Sequence, residues 1–333
     1  MKAFPVRRAI VGLASASAIL ALTACGGNVG SGSSGTEESY PTKPINVTVG
    51  AAAGGSTDLI ARAIAEGASE DLGVAMPVVN KPGANGALAA KEVQGKPADG
   101  YELATLNASL ITITPLAVGE SEAVSIDDFE VITGLSQDDY VMVANPEAGV
   151  KTVEDLTKKD GLSFGTTGVG TGSQLAQALL LKQADIKGTE VPFDSGAPAV
   201  TAVLGNQVQV ATVQLGEAKA QIDAGKLVPI VVFSTERNEF LPDVPTATEE
   251  GYDVPVSQYR AMVAPKGTPE EVKTRLKTAF ENTFKTEAYQ QFNEQNLLTP
   301  KEISGEEVVT EWTELAEKYK ELTEEYGISL KES

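Results

Sequence analysis

The sequence predicts an α/β protein of two domains. Three observations carry that prediction: apolar strand patterns alternate with apolar helical ones, a strand–glycine loop–helix unit occurs once in each half, and about 290 residues remain after an N-terminal leader and linker. Repeated alternation of this kind builds mainly parallel sheets covered by helices on both faces.

The leader comes first. Met1 to Arg8 is cationic, with Lys2, Arg7 and Arg8, and Ala9 to Leu22 is an apolar run too short for a bilayer, which needs roughly 20 residues. Residues 1–24 therefore read as a signal peptide. Leu22-Thr23-Ala24-Cys25 fits the pattern at which bacterial lipoproteins are processed and lipidated on the sulfur. Cys25 is the only cysteine of the chain, so no disulfide competes for it. Two or three acyl chains hold a protein to a membrane stably. Residues 25–40 then form the lipidated cysteine and a Gly/Ser-rich linker that cannot build a core, with a reach on the order of 20 Å.

In the first domain, Ile45-Asn46-Val47-Thr48-Val49 alternates like a strand and runs into Ala53-Gly54-Gly55-Ser56-Thr57-Asp58. Leu59, Ile60, Ala63 and Ile64 then fall at helical spacing. A short strand at Pro77 to Asn80, a helix near Ala87 to Val93 and a strand at Tyr101 to Leu106 follow. The same order restarts with a strand at Tyr140 to Ala144 and a short helix opened by Val153 to Leu156. Leu162 to Gly165 leads into a second glycine loop, Thr166-Thr167-Gly168-Val169-Gly170-Thr171-Gly172-Ser173, and an amphipathic helix from Gln174. Strands at Val208 to Val213 and Val228 to Phe233 complete this half.

The tail is helical. Thr268-Pro269-Glu270-Glu271 and Ser304-Gly305-Glu306-Glu307 both fit the capping box, with Pro269 at the favoured first helical position. Val308, Trp312, Leu315, Tyr319, Leu322 and Tyr326 recur at spacings of four and three, a core stripe that Gly327 terminates.

Charge and composition narrow the function. The chain carries −20, and removing the cationic leader makes the remainder more acidic still, which argues against nucleic acid or an anionic membrane surface as partner. It contains no histidine, which removes His-based triads, His metal sites and the usual general base near neutral pH. No catalytic residue, metal site or cofactor is expected, and no internal sequence repeat is evident.

The two glycine loops are the candidate site. A loop that leaves a strand and enters a helix presents unpaired backbone N–H groups at the positive end of the helix dipole, a ready anion site. Glycine lets a ligand approach the backbone. Two such loops facing each other across a cleft form a clamp for a negatively charged solute. Other readings of the same residues stay open: the glycines as turn formers, Ser56 as a helix cap, Asp58 as a dipole partner, and the second loop as a poorly fitting dinucleotide fingerprint of an enzyme.

Several ordered motifs resemble one family. Gly54-Gly55-Ser56-Thr57-Asp58-Leu59-Ile60-Ala61-Arg62, Val79-Asn80-Lys81-Pro82-Gly83-Ala84-Asn85-Gly86 and Pro97-Ala98-Asp99-Gly100-Tyr101 are similar to segments of the extracytoplasmic receptors of tripartite tricarboxylate transporters, the Bug-type solute-binding proteins. So are Gly170-Thr171-Gly172-Ser173, Val191 to Ala199, Leu241 to Thr246 and Ala264 to Pro269.

That resemblance implies a two-lobed periplasmic-binding-protein-like fold whose hinge is crossed twice, with lobe 1 from residues 41–141 plus 260–333 and lobe 2 from 142–259. It implies a monomeric receptor that holds a small carboxylated solute mainly through backbone N–H groups and waters, then passes it to membrane permease subunits. Carried over by position, the ligand-binding residues are Ala53, Gly54, Gly55, Ser56, Thr57 and Asp58 in the first loop, with Asp58 reading a polar feature of the ligand. In the second loop they are Thr167, Gly168, Gly170, Thr171, Gly172 and Ser173, with Asn107, Phe193 and Asp194 as further lining. The family often carries Tyr-Lys or Tyr-Arg where this chain has Phe193-Asp194, and an aromatic where it has Arg260, so Arg260 either faces the cleft or pairs with a nearby acid. A binding protein of an ATP-driven importer is the alternative within the receptor class.

Overall fold

A computed structural model describes residues 40–331; the signal peptide, Cys25 and residues 26–39 of the expected linker lie outside the described residues. Tyr40, the last residue of the expected linker, is held against the first half. The Tyr40 hydroxyl donates to the Gly100 carbonyl at 2.6 Å, and its ring meets Tyr101 edge-on with centroids 5.1 Å apart.

The elements follow the alternation of the sequence. β1 (Asn46–Val49) leads into α1 (Ser56–Leu72), followed by β2 (Val78–Asn80), α2 (Ala87–Gln94), β3 (Glu102–Asn107) and the short α3 (Ala108–Thr112) and α4 (Thr114–Ala117). The long β4 (Phe129–Ala144) opens the second half, which continues with α5 (Val153–Thr157), β5 (Leu162–Thr166), α6 (Gly172–Gln183), β6 (Gly188–Pro192) and α7 (Gly196–Leu204). Then come β7 (Val210–Gln214), α8 (Leu215–Asp223) and β8 (Val228–Val232). β9 (Ser257–Pro265) returns to the first half, where α9 (Glu270–Phe284), α10 (Glu287–Asn296), β10 (Thr299–Pro300) and α11 (Gly305–Glu325) complete the chain.

The strands run in the order β2-β1-β3-β9-β4-β7-β5-β6, with β8 and β10 also pairing with β4. β2, β1 and β3 are parallel to their neighbours, as are β6, β5 and β7, whereas β9 and β4 join the two groups antiparallel. β4 exchanges partners along its length. Phe129 to Asp139 pairs with β9, and Tyr140 to Ala144 pairs with β7 and β8. On the return path Val256 donates to the Phe233 carbonyl while Ser257 pairs with Asp139. Two strands thus connect the two sheet halves.

Each half is covered on both faces. In the first, Val47, Ile60, Ile64 and Phe280 fill one side of the sheet, and Leu106, Ala261, Val263 and Trp312 fill the other. In the second, Met142, Phe164, Leu175 and Leu179 oppose Val143, Val203, Val213 and Leu215. α11 adds a third connection: its Val308 and Trp312 pack in the first half, while its Tyr319 and Leu322 pack with Phe164 in the second. Trp312 is core, as its spacing predicts.

One capping box forms and one does not. The Ser304 side chain accepts from Glu307 N, and the Glu307 carboxylate accepts from Ser304 N. At α9 the N-cap is Pro269 itself, without a side-chain cap, because the Thr268 hydroxyl donates to the Pro265 carbonyl at 2.8 Å.

Candidate ligand cleft

A cleft of about 1320 Å³ lies where the two halves meet. One wall comes from the β1–α1 loop (Gly50 to Thr57), Pro82 to Asn85 and Asn107; the other comes from Thr167, Gly168, Val169 and Thr171 with Pro192 to Ala197. Tyr140 of β4, Gln258 of β9, Glu217 and Lys219 of α8 and the stretch Gln295 to Leu298 also line it. The stretches around Gly54 and Gly170 therefore serve one cavity. The second loop is also tied to the first half, since Asn85 Nδ2 donates to the Gly170 carbonyl at 3.1 Å and also to the Ser109 and Thr114 hydroxyls.

Both loops are held by the same device. Gly54 has φ +83°, and its N–H donates to Asp58 Oδ2 at 2.8 Å; Gly170 has φ +71°, and its N–H donates to Gln174 Oε1 at 2.8 Å. In each case the acceptor sits four residues on, in the first turn of the following helix. It is fixed in turn from the next strand. Asn80 in β2 donates to Asp58, and Gln174 donates to Glu190 in β6. A left-handed backbone favours glycine because a Cβ there crowds the carbonyl. Among the described residues, three of the five non-glycines with positive φ, Ala84, Asn85 and Leu297, also line the cleft, so backbone strain gathers at this site.

This device changes the expected roles of several residues. Ala53, Gly54, Gly55, Ser56, Thr57, Asn107, Thr167, Gly168, Thr171, Phe193 and Asp194 line the cleft. Asp58 is only 2 % exposed and does not line it. Its oxygens are taken by Gly54 N, Asn80 and Arg62. Burial pushes its carboxyl up, but these three partners outweigh burial and hold it below the usual carboxylate range. It positions the loop and cannot read a ligand. Gly170, Gly172 and Ser173 also lie behind the surface: the Ser173 hydroxyl donates to the Thr212 carbonyl at 2.6 Å and accepts from Thr167 N. Gly172 packs on Tyr140, where a Cβ would stand 2.6 Å from the ring.

The N–H groups of Gly54, Gly55, Thr167 and Gly170 are likewise spent inside their own loops. The first turn of α1 keeps free donors: its N-cap Gly55 offers no side-chain cap, so the N–H groups of Ser56 and Thr57 are orphan donors of a 17-residue helix that opens on the cleft. The first turn of α7 opens on it too, with Ser195, Gly196 and Ala197 in the lining and no side-chain cap from Ser195.

Arg260 does not face the cleft. It is 1 % exposed, forms an ion pair with Asp138, and donates to the hydroxyls of Thr57 (2.8 Å) and Ser136 (3.0 Å). Thr57 in turn donates to Asn107 Oδ1, so a buried polar chain links the first loop to β4 and β9, where they join the halves. Sequence reasoning missed Asn85, Tyr140, Glu217 and Gln258. Only Asn85 carried a signal, in its Gly-Ala-Asn-Gly turn.

Residues 60–328 match the profile of the tripartite tricarboxylate transporter family receptor. The chain belongs to that receptor family. It is 33% identical over 255 residues to a UPF0065 protein of Agrobacterium vitis, covering 75% of this chain and 73% of that one. Its fold is similar to that of the periplasmic binding protein BugD, with a TM-score of 0.80, 28% identity, and 88% of this chain and 100% of that chain covered. It is also similar to MatC from Rhodopseudomonas palustris, solved with bound malate: TM-score 0.77, 25% identity, 85% and 99% covered. The tripartite tricarboxylate transporter receptor described here is thus a two-lobed, extracytoplasmic-type solute-binding protein and not an enzyme. Among its described residues no helix is long and apolar enough to cross a membrane.

Proposed function

We propose that this receptor is tethered outside a bacterial membrane by lipid on Cys25, captures a small carboxylate as a monomer, and delivers it unchanged to tripartite tricarboxylate-type permease subunits. One observation carries the binding step: a single cleft is lined by both glycine loops and by the uncapped N-terminus of α1. A carboxylate there supplies the missing cap, and each charge-assisted hydrogen bond contributes about 1.5–3 kcal/mol. Three or four such bonds, less the cost of immobilising the ligand, support roughly micromolar affinity. The malate bound by MatC belongs to the same chemical class.

The lobes of this proposal are residues 41–141 with 260–333, and 142–259, a division supported by the exchange of partners in β4 between Asp139 and Tyr140. A cleft of about 1320 Å³ exceeds the ~300–1,000 Å³ typical of small-ligand pockets, so a small acid is gripped from both sides only when the lobes close. Closure then marks the loaded receptor for its permease.

A thermal-shift screen of carboxylic acids, with the ligand recovered intact, tests the binding step. Gly55 has φ −77°, and a Cβ there meets only the Ala52 carbonyl at 3.4 Å, so Gly55→Val should keep the fold, checked by its thermal unfolding without ligand. Stabilisation by the acid that works on the wild type should vanish in that variant; undiminished stabilisation would sink the clamp. Cys25→Ser should move the receptor from the membrane to the soluble fraction, and a variant still sedimenting with membranes would refute the lipid tether.

A further inference from the structure

β4 reaches the point where it exchanges partners through two consecutive acids, Asp138 and Asp139. Their side chains leave opposite faces of the strand. Asp139 is tied toward the second half: it accepts from Asn238 Nδ2 at 2.9 Å and from the Ser257 hydroxyl at 3.0 Å. Asp138 is tied to the first half by its ion pair with Arg260 of β9. Each acid is thus held from a different side, and the backbone at Asp138 to Tyr140 is where a relative motion of the halves is absorbed.

The pair with Arg260 is only half made. A buried arginine and carboxylate reach their best bonding as a fork of two parallel N–H···O bonds. Here Arg260 Nη1 donates to Asp138 Oδ2 and the Ser136 hydroxyl, and Nε donates to the Thr57 hydroxyl. Arg260 Nη2 and Asp138 Oδ1 are sealed from solvent without a partner among the described residues. So is Gln258 Oε1, on a residue that stands opposite Asp138 in register and two positions before Arg260 on the same face of β9. One idle donor therefore has two idle acceptors as neighbours. Burial lifts the Asp138 carboxyl above its ordinary range although Arg260 pulls it down, which fits an ion pair that is incompletely engaged. Idle buried charges raise the energy of the arrangement that holds them. A small twist of β4 at Asp138 offers Nη2 a second bond, and through Asp139 it carries the second half with it. The other arm of Arg260 reaches the cleft, since the Thr57 hydroxyl passes its own proton to Asn107 Oδ1 at 3.1 Å and both residues are in the lining.

We propose that Arg260 and Asp138 form a two-position latch, half bonded in the arrangement described here and fully bonded after β4 twists, which sets how the receptor divides between two arrangements of its halves. Arg260 is a positioning residue: it touches no solute and acts through Thr57 and Asp138. The inference rests on the reading that the lobes move about β4 and β9, and its test contains no solute, so its failure leaves the carboxylate reading standing.

Double electron–electron resonance between spin labels at Leu88→Cys on α2 and Thr201→Cys on α7, both exposed and on different halves, provides that test in the mature receptor with Cys25→Ser. With Arg260 present the labels should show two distance populations. Arg260→Lys keeps the charge and cannot form the fork, and should lower the ratio of the second population to the first at least tenfold. Arg260→Met combined with Asp138→Leu removes the pair without leaving a charge unmatched, and should do the same; it carries the comparison if Arg260→Lys fails to fold, which thermal unfolding of each variant decides. A single population with Arg260 present overturns the latch. A folded variant whose distances match those of the unsubstituted pair overturns it too, because the ion pair is then structural alone. Broader distances in the variants also overturn it, since they mark a loosened hinge and not the loss of one of two positions.

Discussion

Glu217 carries a measurable cost in the folded chain. Burial pushes its carboxyl from the ordinary 4.5 up to about 7, against the pull of Arg260 and the Gln214 N–H and with the help of Asp138. Below pH 4.5 the group is protonated in both the folded and the unfolded chain. Between about 4.5 and 7 the folded state keeps a proton that the unfolded state has released, so stability falls as pH rises through this window. Glu217→Gln removes the penalty. The variant should be more stable than the wild type by roughly 2 kcal/mol at pH 8, after allowance for partial exposure, and equal to it near pH 4. Urea unfolding at the two pH values checks this, and a difference that does not change with pH contradicts it. Nothing in the sequence distinguishes this residue. An acid in the first turn of an amphipathic helix ordinarily complements the helix dipole, and only the structure shows its Oε2 buried against Gly196. Asp58 misled in the opposite direction: its place beside the glycine loop suggested contact with ligand, yet the spacing of four from Gly54 makes it the loop's internal anchor.

At the scale of elements, periodicity and capping chemistry were the reliable signals. β1, α1, β3, β5, α6 and α11 lie where their apolar spacing predicts them. The Ser304 box is built as its sequence implies, and Ser304→Ala should lower stability by about 1 kcal/mol, read as a shifted urea midpoint with unchanged slope. Thr268→Ala should not reproduce a cap loss, because Thr268 is bonded to Pro265 and caps nothing. β4 was legible only from Tyr140 onward. Its first eleven residues carry the buried polar residues Thr133, Ser136 and Asp138, which break the alternation that marks a half-buried strand. Those residues are polar because Arg260 and the returning chain need partners there. The same hidden network kept Arg260 ambiguous in the sequence. The repeated loop device was also hidden, since Asp58 and Gln174 do the same work with different side chains.

At the scale of the whole molecule, two antiparallel strands and one long helix join the halves, and the cleft sits against the strands. Thr57 couples the cleft to those strands through Arg260 and Asp138. The two-lobed plan was legible because the strand–loop–helix unit occurs twice; the third connection was not, because α11 buries one continuous stripe in two separate cores. The central claim is that main-chain N–H groups at the start of α1 take the ligand carboxylate. Amide proton–nitrogen NMR of the mature receptor, titrated with the acid that stabilises it most, tests this directly. The account predicts the largest downfield proton shifts at Ser56 and Thr57, with the N–H groups of Gly54 and Gly170 little changed because they are already bonded. Saturable binding that leaves Ser56 and Thr57 unmoved would contradict it.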